Sequence, residues 1–551
     1  MTTPTDSGSG TDVDGYDDSE QEEEAEEVGR SRGKNERRRR RVERDDCEEG
    51  IPLRRSSRGK AARRRGEKGY TEEEERAVVS KFDRKLVVFV AGLYLLAFLD
   101  RSNIGNARIA GMDDDLQSSS SPKEGMYEWA LTAFYIAYIA FEWMSLLWRI
   151  IPAHIYVAGL VFSWGLTASL QAVAVNYPML IFLRTILGIG EAGFTGVPFY
   201  LSFFFRRDEL AFRTAIFISA APLATSFASS LAWLILKLST SSPIAPWRLL
   251  FLIEGFPSIL VAGLAYSIIP DSPQTAPYLT KREKKVARLR LQAEKDAVIP
   301  HQNASSDSPK RSSTREALSV LADPVAWINA LILFLTNMAY SSLPVFLPTI
   351  LRSMGHDSIT SQALAAPPYL ASFLIVLATA HASDSIKARG PLLIFHALSS
   401  AAGYTLLALS DSVLHLDPGS WVRYLAVYPA AIGFFNVVVL TITWNINNQR
   451  GETKQGAGFA FMQVIGQLGP LIGTRLYPDR DGPYYTNGMR VCAVAMVSVA
   501  LLALVMRWYM KRQNARMDKE DEVENSEGEE GAALVGEKGS SRVGAKFRYM
   551  L

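Results

Sequence analysis

Two ionisable residues lie inside a long apolar stretch at residues 183–198, which reads LRTILGIGEAGFTGVP. Arg184 and Glu191 are seven positions apart, so a helix would place them on one face about two turns, or roughly 10 Å, from each other, too far to pair directly. A charge at the centre of a lipid-embedded helix costs at least ~2.5 kcal/mol, so we expect both side chains to face a protein interior or an aqueous cavity. The neighbouring glycines predict close helix packing at positions Gly188, Gly190, Gly193 and Gly196.

A second charged group, Asp100 and Arg101, lies in the first apolar run. If this run crosses a membrane from about Leu86 and the fourth run crosses back, a rise of ~1.5 Å per residue places all four charged residues at depths where they could line one cavity. An arginine binds a carboxylate through two parallel hydrogen bonds and keeps its charge. A carboxyl group partly removed from water can take up a proton on one side and release it on the other.

Apolar runs of about 20 residues recur from Leu86 onward, and each is long enough to cross a hydrocarbon core of roughly 30 Å. We predict twelve membrane spans, at residues 85–106, 127–148, 153–175, 179–203, 213–236, 248–269, 325–348, 362–384, 391–410, 421–444, 456–476 and 488–509. A polar stretch after the sixth span divides them into two sets of six. The sequence therefore predicts an all-α membrane protein with twelve transmembrane helices in two six-helix halves.

The distribution of basic residues predicts the orientation. Basic residues flank the first span, follow the sixth and follow the last, and all three groups belong on the cytoplasmic side. The predicted organisation is a disordered cytoplasmic tail (1–80), a first bundle (81–270), a cytoplasmic loop with a short surface helix (271–323), a second bundle (324–510) and a disordered cytoplasmic tail (511–551). The basic run at residues 37–41 could bind nucleic acid or anionic lipid. We favour a solvated tail that orients the first span and binds no nucleic acid.

Other classes of site find no support in the sequence. Cys47 and Cys492 imply no disulfide framework, and His154 and His381 have no partner at metal-ligand spacing. We find no nucleotide-binding glycine loop, no paired CxxC and no nucleophile elbow. The sequence therefore predicts no metal, no cofactor, no ATP-driven transport and no enzymatic activity.

The stretch LDRSNIGNAR at residues 99–108 resembles the DR-x-N-I-G-N-A signature of the fungal anion:cation symporter family, a branch of the major facilitator superfamily that includes allantoate and nicotinate permeases. Residues 184–194, 247–255, 269–283 and 443–456 resemble the same family. The resemblance implies two helical halves around a midplane site. Related bacterial sugar-acid symporters have both DR and R-x6-E, which implies that Asp100 and Glu191 couple protons while Arg184 and Arg101 bind the anion. Alternatively, Arg184 and one acid form a buried structural pair.

Five uncharged residues are further candidates for substrate contact. Related carriers place a substrate tyrosine near Tyr138, and Tyr135 lies one turn away; both could instead be packing residues. Asn337, Gln463 and Gln467 could bind substrate or form hydrogen bonds between helices. In the loop after the eighth span, Asp384 and Arg389 are candidates for a gate, with an ordinary short loop as the alternative. We interpret Glu142 and Glu254 as structural.

These observations predict a monomeric secondary transporter of a fungal plasma membrane. It would use the proton gradient to import a small organic anion such as allantoate, nicotinate or pantothenate, and both termini would be cytoplasmic. Two alternatives stay open. The same fold could export a metabolite, or the protein could be a nutrient receptor that does not transport.

Overall fold

A computed structural model describes residues 69–116, 125–239, 243–298, 315, 318–449, 452–535 and 548–551. Residues 72–551 form one compact unit, and its described secondary structure is helical. Most of the predicted N-terminal tail and residues 536–547 of the predicted C-terminal tail lie outside the described residues.

Six helices form the first half, and a seventh precedes them. The helices are α1 (Glu72–Phe82), α2 (Val88–Ala107), α3 (Met126–Phe141), α4 (Ala153–Leu170), α5 (Tyr177–Ala192), α6 (Arg207–Leu238) and α7 (Pro246–Ile268). The central segment contains α8 (Lys281–Val298), at the place of the predicted surface helix. The second half consists of α9 (Pro324–Ser353), α10 (Ser358–Ile386), α11 (Gly390–Leu409), α12 (Trp421–Asn448), α13 (Glu452–Gly466) and α14 (Thr486–Val535).

The twelve predicted spans correspond to α2–α7 and α9–α14. Within the described residues, nine are long and apolar enough to cross a membrane by length and composition. The other three have visible irregularities: α2 contains Asp100 and Arg101, α3 gives way to a 3-10 turn at Glu142–Arg149, and α13 stops at Gly466 before a short helix at Gly469–Gly473. The twelve-helix architecture is confirmed, and its three irregular helices are among those that line the site described below.

Local sequence signals fix where several helices begin. Asn176 accepts a hydrogen bond from the Met179 amide at 3.0 Å, and Asp323 accepts one from the Val325 amide at 3.0 Å. In both helices a proline occupies the first turn, where its missing N–H leaves no hydrogen bond unmade. These caps set the starting points of α5 and α9, two helices that contribute to the site.

Close contacts hold the helices together within and between the halves. A Cβ atom on Gly188 would lie 2.4 Å from the Phe134 carbonyl oxygen, so α5 approaches the backbone of α3 as closely as glycine allows. Between the halves, a Cβ atom on Gly105 of α2 would lie 2.3 Å from the Val345 carbonyl oxygen of α9. The predicted packing role of Gly188, Gly190, Gly193 and Gly196 is confirmed, since a Cβ atom on each would meet a neighbour at 3.0 Å or less.

The outer surface of the bundle is apolar, as a lipid-facing surface must be. Large apolar side chains are exposed along several spans, among them Phe162, Leu260, Leu264, Val494 and Leu501. Water would not favour so large an apolar surface, whereas hydrocarbon does. The protein is a multi-pass membrane protein.

The face of the bundle that contains α8 is called the basic face. Arg290 of α8 is fully buried there and hydrogen-bonds Glu209, while Lys81 contacts Glu283 at 2.7 Å. This ionic network anchors α1 and α8 to the start of α6. The predicted tail boundaries therefore need correction: residues 72–80 belong to α1, which begins with four glutamates that favour a helix N-terminus. The last helix likewise continues to Val535, well beyond the predicted end of the span.

Candidate functional site

A cavity lies between the two halves near the middle of the bundle. Seven of the residues predicted from the sequence line it: Arg101, Tyr135, Tyr138, Glu191, Asn337, Gln463 and Gln467. Its volume is about 70 Å³. Because one water molecule needs a cavity volume of only ~10–15 Å³, this cavity has room for several waters. It is smaller than the ~300–1,000 Å³ of typical ligand pockets, so a substrate could enter only if the halves moved apart.

The strongest polar contact in the cavity joins Arg101 of α2 to Glu191 of α5. The Arg101 Nη2 and Nε atoms donate to the same oxygen, Glu191 Oε2, at 2.6 and 3.1 Å. The other oxygen, Oε1, is buried and has no hydrogen-bond partner among the described residues. The Glu191 side chain is 1% exposed and that of Arg101 is 11% exposed. Arg101 thus binds the Glu191 carboxylate through one oxygen only. The pair lies beside a cavity that a competing ligand of Arg101 could enter.

Aromatic rings surround the Arg101 guanidinium. Its central carbon lies 4.9 Å from the ring centroid of Tyr138 and 5.1 Å from that of Phe134. Ring faces stabilise a cation without neutralising it. Arg101 therefore keeps its charge at the cavity wall while its hydrogen bonds are directed to one carboxylate.

Arg184 occupies a different place from the one expected. It is 1% exposed and does not line the cavity, and its Nη1 donates to the Arg101 carbonyl oxygen at 3.2 Å. Its Nε and Nη2 atoms have no hydrogen-bond partner in the described part of the chain. Glu191 hydrogen-bonds Arg101 instead of Arg184, which agrees with the predicted separation of Arg184 and Glu191. Arg184 thus lies behind the cavity wall, against the backbone of Arg101.

Asp100 also points away from the cavity. It is buried on the α7 side, where its Oδ2 accepts a hydrogen bond from Ser258 Oγ at 3.1 Å. Glu254, one turn earlier on α7, is equally buried, and neither of its carboxyl oxygens has a hydrogen-bond partner within the described residues. The expectation that all four charged residues share one cavity is therefore wrong for Asp100 and Arg184. Consecutive residues on a helix point about 100° apart, so Asp100 and Arg101 cannot face the same side of α2.

The second half contributes uncharged polar groups to the cavity. Asn337 of α9 donates to the Gly466 carbonyl oxygen at 3.0 Å, at the place where α13 ends. After this break, Gly469 approaches α9 so closely that a Cβ atom would lie 2.2 Å from the Phe334 carbonyl oxygen. Asn337 therefore has the helix-to-helix role considered from the sequence and also lines the cavity, as do Gln463 and Gln467.

Sequence reasoning missed two aromatic residues that line the cavity and join the two halves. The hydroxyl oxygens of Tyr94 in α2 and Tyr340 in α9 lie 3.3 Å apart, so this hydrogen bond joins the two halves. Both residues also line the cavity. Tyr94 lies alone in an apolar run, and Tyr340 precedes two serines in α9. A tyrosine in a membrane span is more often a packing residue, so the sequence offered no signal for their pairing.

A second missed cluster closes the face opposite the basic face. Arg108 at the end of α2 contacts Asp113 at 2.9 Å and, across the halves, Asp479 at 2.6 Å. Its guanidinium carbon lies 4.2 Å from the ring centroid of Tyr127, whose hydroxyl donates to the Val345 carbonyl oxygen at 3.2 Å. The Arg108–Asp479 ion pair and the Tyr127–Val345 hydrogen bond thus join the two halves on this face, while the cation–π contact lies within the first half.

The residues of the predicted gate contact each other in the turn between α10 and α11. Arg389 donates one hydrogen bond to Asp384 and another, of 3.0 Å, to Ser383 Oγ. Arg389 is 4% exposed. The contacts are local to the second half, so they hold the shape of this turn. Within the described residues, no cluster of three or more histidine, cysteine or acidic side chains could hold a metal ion.

Comparison with known proteins identifies the family. The profile described as Major Facilitator Superfamily matches residues 90–474. The chain belongs to the Major Facilitator Superfamily. An MFS transporter of a fungal species (strain NRRL 50135), prlL, is 30% identical over 461 residues, which cover 82% of this chain and 90% of that relative. The predicted resemblance to the allantoate and nicotinate permease group is confirmed at the level of fungal facilitator transporters.

Two further comparisons bear on relatives and on fold. The high-affinity nicotinic acid transporter of Saccharomyces cerevisiae is 25% identical over 478 residues, with 86% of this chain and 85% of that transporter covered. Among solved structures, the proton:xylose symporter XylE bound to 6-bromo-6-deoxy-D-glucose superposes with a TM-score of 0.59 at 15% identity, covering 77% of this chain and 95% of that one. At this identity the structural likeness supports the facilitator fold alone.

Proposed function

We propose that this facilitator protein is a proton-coupled symporter that imports a small organic anion, such as nicotinate, allantoate or pantothenate, by alternating access. The observation that supports the proposal most strongly is the Arg101–Glu191 pair beside the cavity between the halves. It brings together the two groups such a reaction needs: a permanent cation for the anion and a carboxyl group for the proton. The relative named as a nicotinic acid transporter supports this class of substrate.

The geometry suggests how the two ligands are coupled. While Glu191 is ionised, it occupies the hydrogen-bonding edge of Arg101 and completes its charge balance. A proton on Glu191 would remove that balance and leave Arg101 with an unpaired buried charge. An entering carboxylate would then take the place of Glu191 on Arg101, since a buried cation strongly favours an anionic partner. Loss of the proton would return Glu191 to Arg101 and displace the anion.

The remaining first-half charges have supporting roles in this scheme. Arg184 hydrogen-bonds the backbone of Arg101 and adds a second positive charge behind the cavity wall. We therefore propose that Arg184 attracts the anion electrostatically without contacting it. Asp100 is the second candidate for proton coupling, in contact with Ser258. On the cavity side, Tyr135, Tyr138, Asn337, Gln463 and Gln467 would contact the uncharged part of the substrate.

We further propose that the basic face is cytoplasmic, in accord with the excess of lysine and arginine there, and that the protein acts as a monomer in the plasma membrane. On this assignment the Arg108–Asp479 contact closes the extracellular face. The Asp384–Arg389 pair would then shape the cytoplasmic gate of the second half. Both ends of the described chain would lie in the cytoplasm.

Transport by purified protein in proteoliposomes tests the proposal. Labelled nicotinate, allantoate and pantothenate would be offered outside, with an inward proton gradient or with equal pH on both sides. We expect one of them to accumulate only under the gradient, and a protonophore to abolish the accumulation. Equal uptake with and without the gradient would rule out proton coupling, and efflux in preference to uptake would favour an exporter.

A further inference from the structure

Residues 548–551, with the sequence Arg-Tyr-Met-Leu, lie on the basic face against the turn before α11, the end of α12 and the part of α14 that continues beyond the predicted span. The Met550 carbonyl oxygen accepts hydrogen bonds from Trp444 Nε1 at 2.7 Å and from Asn448 Nδ2 at 3.2 Å. The Met550 amide donates to Asn448 Oδ1 at 2.7 Å. The side-chain amide of Asn448 therefore pairs with both backbone groups of one residue, in the manner of a neighbouring strand.

A second asparagine repeats this arrangement one residue earlier. Asn514 of α14 donates through Nδ2 to the Tyr549 carbonyl oxygen and accepts from the Tyr549 amide, both at 2.9 Å. The Leu551 carbonyl oxygen accepts from the Arg389 amide at 3.0 Å. Three successive residues of the segment are thus bound through their backbone, by groups that come from three different helices or turns.

Side-chain contacts toward both ends of the segment add to these backbone contacts and fix the direction in which the segment lies. Arg548 contacts Asp518 at 2.7 Å and Asp521 at 2.5 Å, two acids one turn apart on α14. Asn447 donates to the Met550 sulfur at 3.3 Å. Because the ion pairs are partly exposed, they contribute little to affinity, and the specific recognition comes from the two asparagines and Trp444.

The receptor for this segment is a built site. Trp444 is fully buried, and Asn448 and Arg389 are 3% and 4% exposed. The extension of α14 beyond the membrane supplies Asn514 and both acids, which gives this stretch of helix a binding surface. A short segment that satisfies the polar groups of a buried tryptophan and two asparagines replaces hydrogen bonds that would otherwise have to be made to water.

The position of the site connects it to the transport pathway. Val438 and Ile442 of α12 line the central cavity, and Trp444 follows two residues later on the same helix. No residue described in α11 or α14 lines the cavity. The segment therefore ties the end of a cavity-lining helix to α14, which stands outside the cavity, and to the turn before α11 that holds the Asp384–Arg389 pair.

We propose that residues 548–551 are an intramolecular peptide ligand of this site, and that their docking restrains the end of α12 and slows opening of the cavity toward the basic face. The site takes an extended peptide segment, recognised through its backbone and an N-terminal arginine. With the opposite face closed by Arg108, movement of α12 at the basic face is the motion that the docked segment opposes.

A cross-link tests docking directly. In a Cys47→Ser background, Asn447→Cys and Met550→Cys would be combined, because these side chains are in contact, while the native Cys492 is fully buried. We expect a short bifunctional thiol reagent to join the pair in the folded full-length protein, and to join it less when Asn514→Ala is added. An absence of cross-linking in protein that is folded by thermal-shift measurement would overturn the docking.

Opening is measured separately, without knowledge of the substrate. Ile442→Cys would be labelled with a membrane-permeant maleimide in the same background. We expect deletion of residues 548–551 to raise the labelling rate by about threefold or more, as loss of several net-favourable hydrogen bonds predicts. Met550→Pro removes the amide that donates to Asn448 and should act like the deletion, whereas its matched control Met550→Ala should not. Equal rates in all four proteins would overturn the restraint on opening.

Discussion

The two halves of the bundle face the same cavity with different chemistry. The first half contributes Arg101 and Glu191 to the wall, with Asp100, Arg184 and Glu254 buried behind it. Among the described residues, every second-half side chain that lines the cavity is uncharged. With the proposed function, this asymmetry implies a division of work in which the first half binds the charge of the anion and the proton, while the second half, together with Tyr135 and Tyr138, contacts the neutral part of the substrate. Substitutions in each half test this division.

The largest effect is expected at Arg101. Arg101→Ala leaves Glu191 buried without its partner and removes the cation that would bind the anion. We expect uptake per folded protein to fall about 100-fold or more, because truncation of one partner of a buried charge pair costs ~2–5 kcal/mol. Initial uptake of labelled substrate measures it. Arg480→Ala serves as the control, since that side chain is 86% exposed. Near-normal uptake by Arg101→Ala would remove Arg101 from the binding site.

A smaller effect is expected at Asp100, which the structure places outside the cavity. Asp100→Asn keeps an oxygen that can accept from Ser258, so the fold should be retained and only the charge lost. We expect uptake to fall about tenfold, the equivalent of about 1.4 kcal/mol. Glu142→Gln is the control, because Glu142 is also a buried carboxyl group, and neither of its oxygens has a hydrogen-bond partner among the described residues. Equal losses in both variants would mean that Asp100 has a structural role.

Loss of a second-half amide should change affinity and leave coupling intact. Gln463→Leu removes one hydrogen-bonding group from the cavity wall, and a typical hydrogen bond contributes ~0.5–1.5 kcal/mol. We expect the half-saturating substrate concentration to rise about three- to tenfold with the same dependence on external pH. The neighbouring Val464→Leu should have no effect, because Val464 is exposed on the outer surface. A lost pH dependence in Gln463→Leu would break the division of work between the halves.

The smallest effect is expected at the second arginine of the first half. Arg184→Lys keeps the charge behind the cavity wall and can still donate to the Arg101 carbonyl oxygen, so uptake should fall by less than about threefold, the range of one weakened hydrogen bond. Arg101→Lys, its matched comparison, loses the planar fork and should fall much further. If uptake per folded protein fell further in Arg184→Lys than in Arg101→Lys, Arg184 would be the principal anion ligand.

Much of this arrangement was predictable from the sequence because it depends on local composition. Apolar length predicted the spans, and isolated polar residues within them predicted Arg101, Glu191, Asn337, Gln463 and Gln467, all of which line the cavity. The rotation of each helix about its axis was not predictable, because packing against α3 and α7 sets it. The rotation of α2 about its axis is the reason that Arg101 faces the cavity while Asp100 faces Ser258.

Contacts between distant parts of the chain were also beyond sequence reasoning. Arg108 and Asp479 are 371 positions apart, and neither has a neighbouring signal that would pair them. Tyr94 and Tyr340 are 246 positions apart. Pairs of this kind appear only when the two halves are placed against each other.

The proposed role of Glu191 in proton coupling is tested by measuring proton and substrate fluxes together for the wild-type protein and for Glu191→Gln. In proteoliposomes, the wild-type protein should take up more labelled anion as external pH falls, with protons entering alongside the substrate. Glu191→Gln cannot ionise, so it should exchange labelled for unlabelled substrate without pH dependence and without proton entry. A Glu191→Gln protein that still moved protons with its substrate would contradict the assignment of Glu191 as the proton-coupling group.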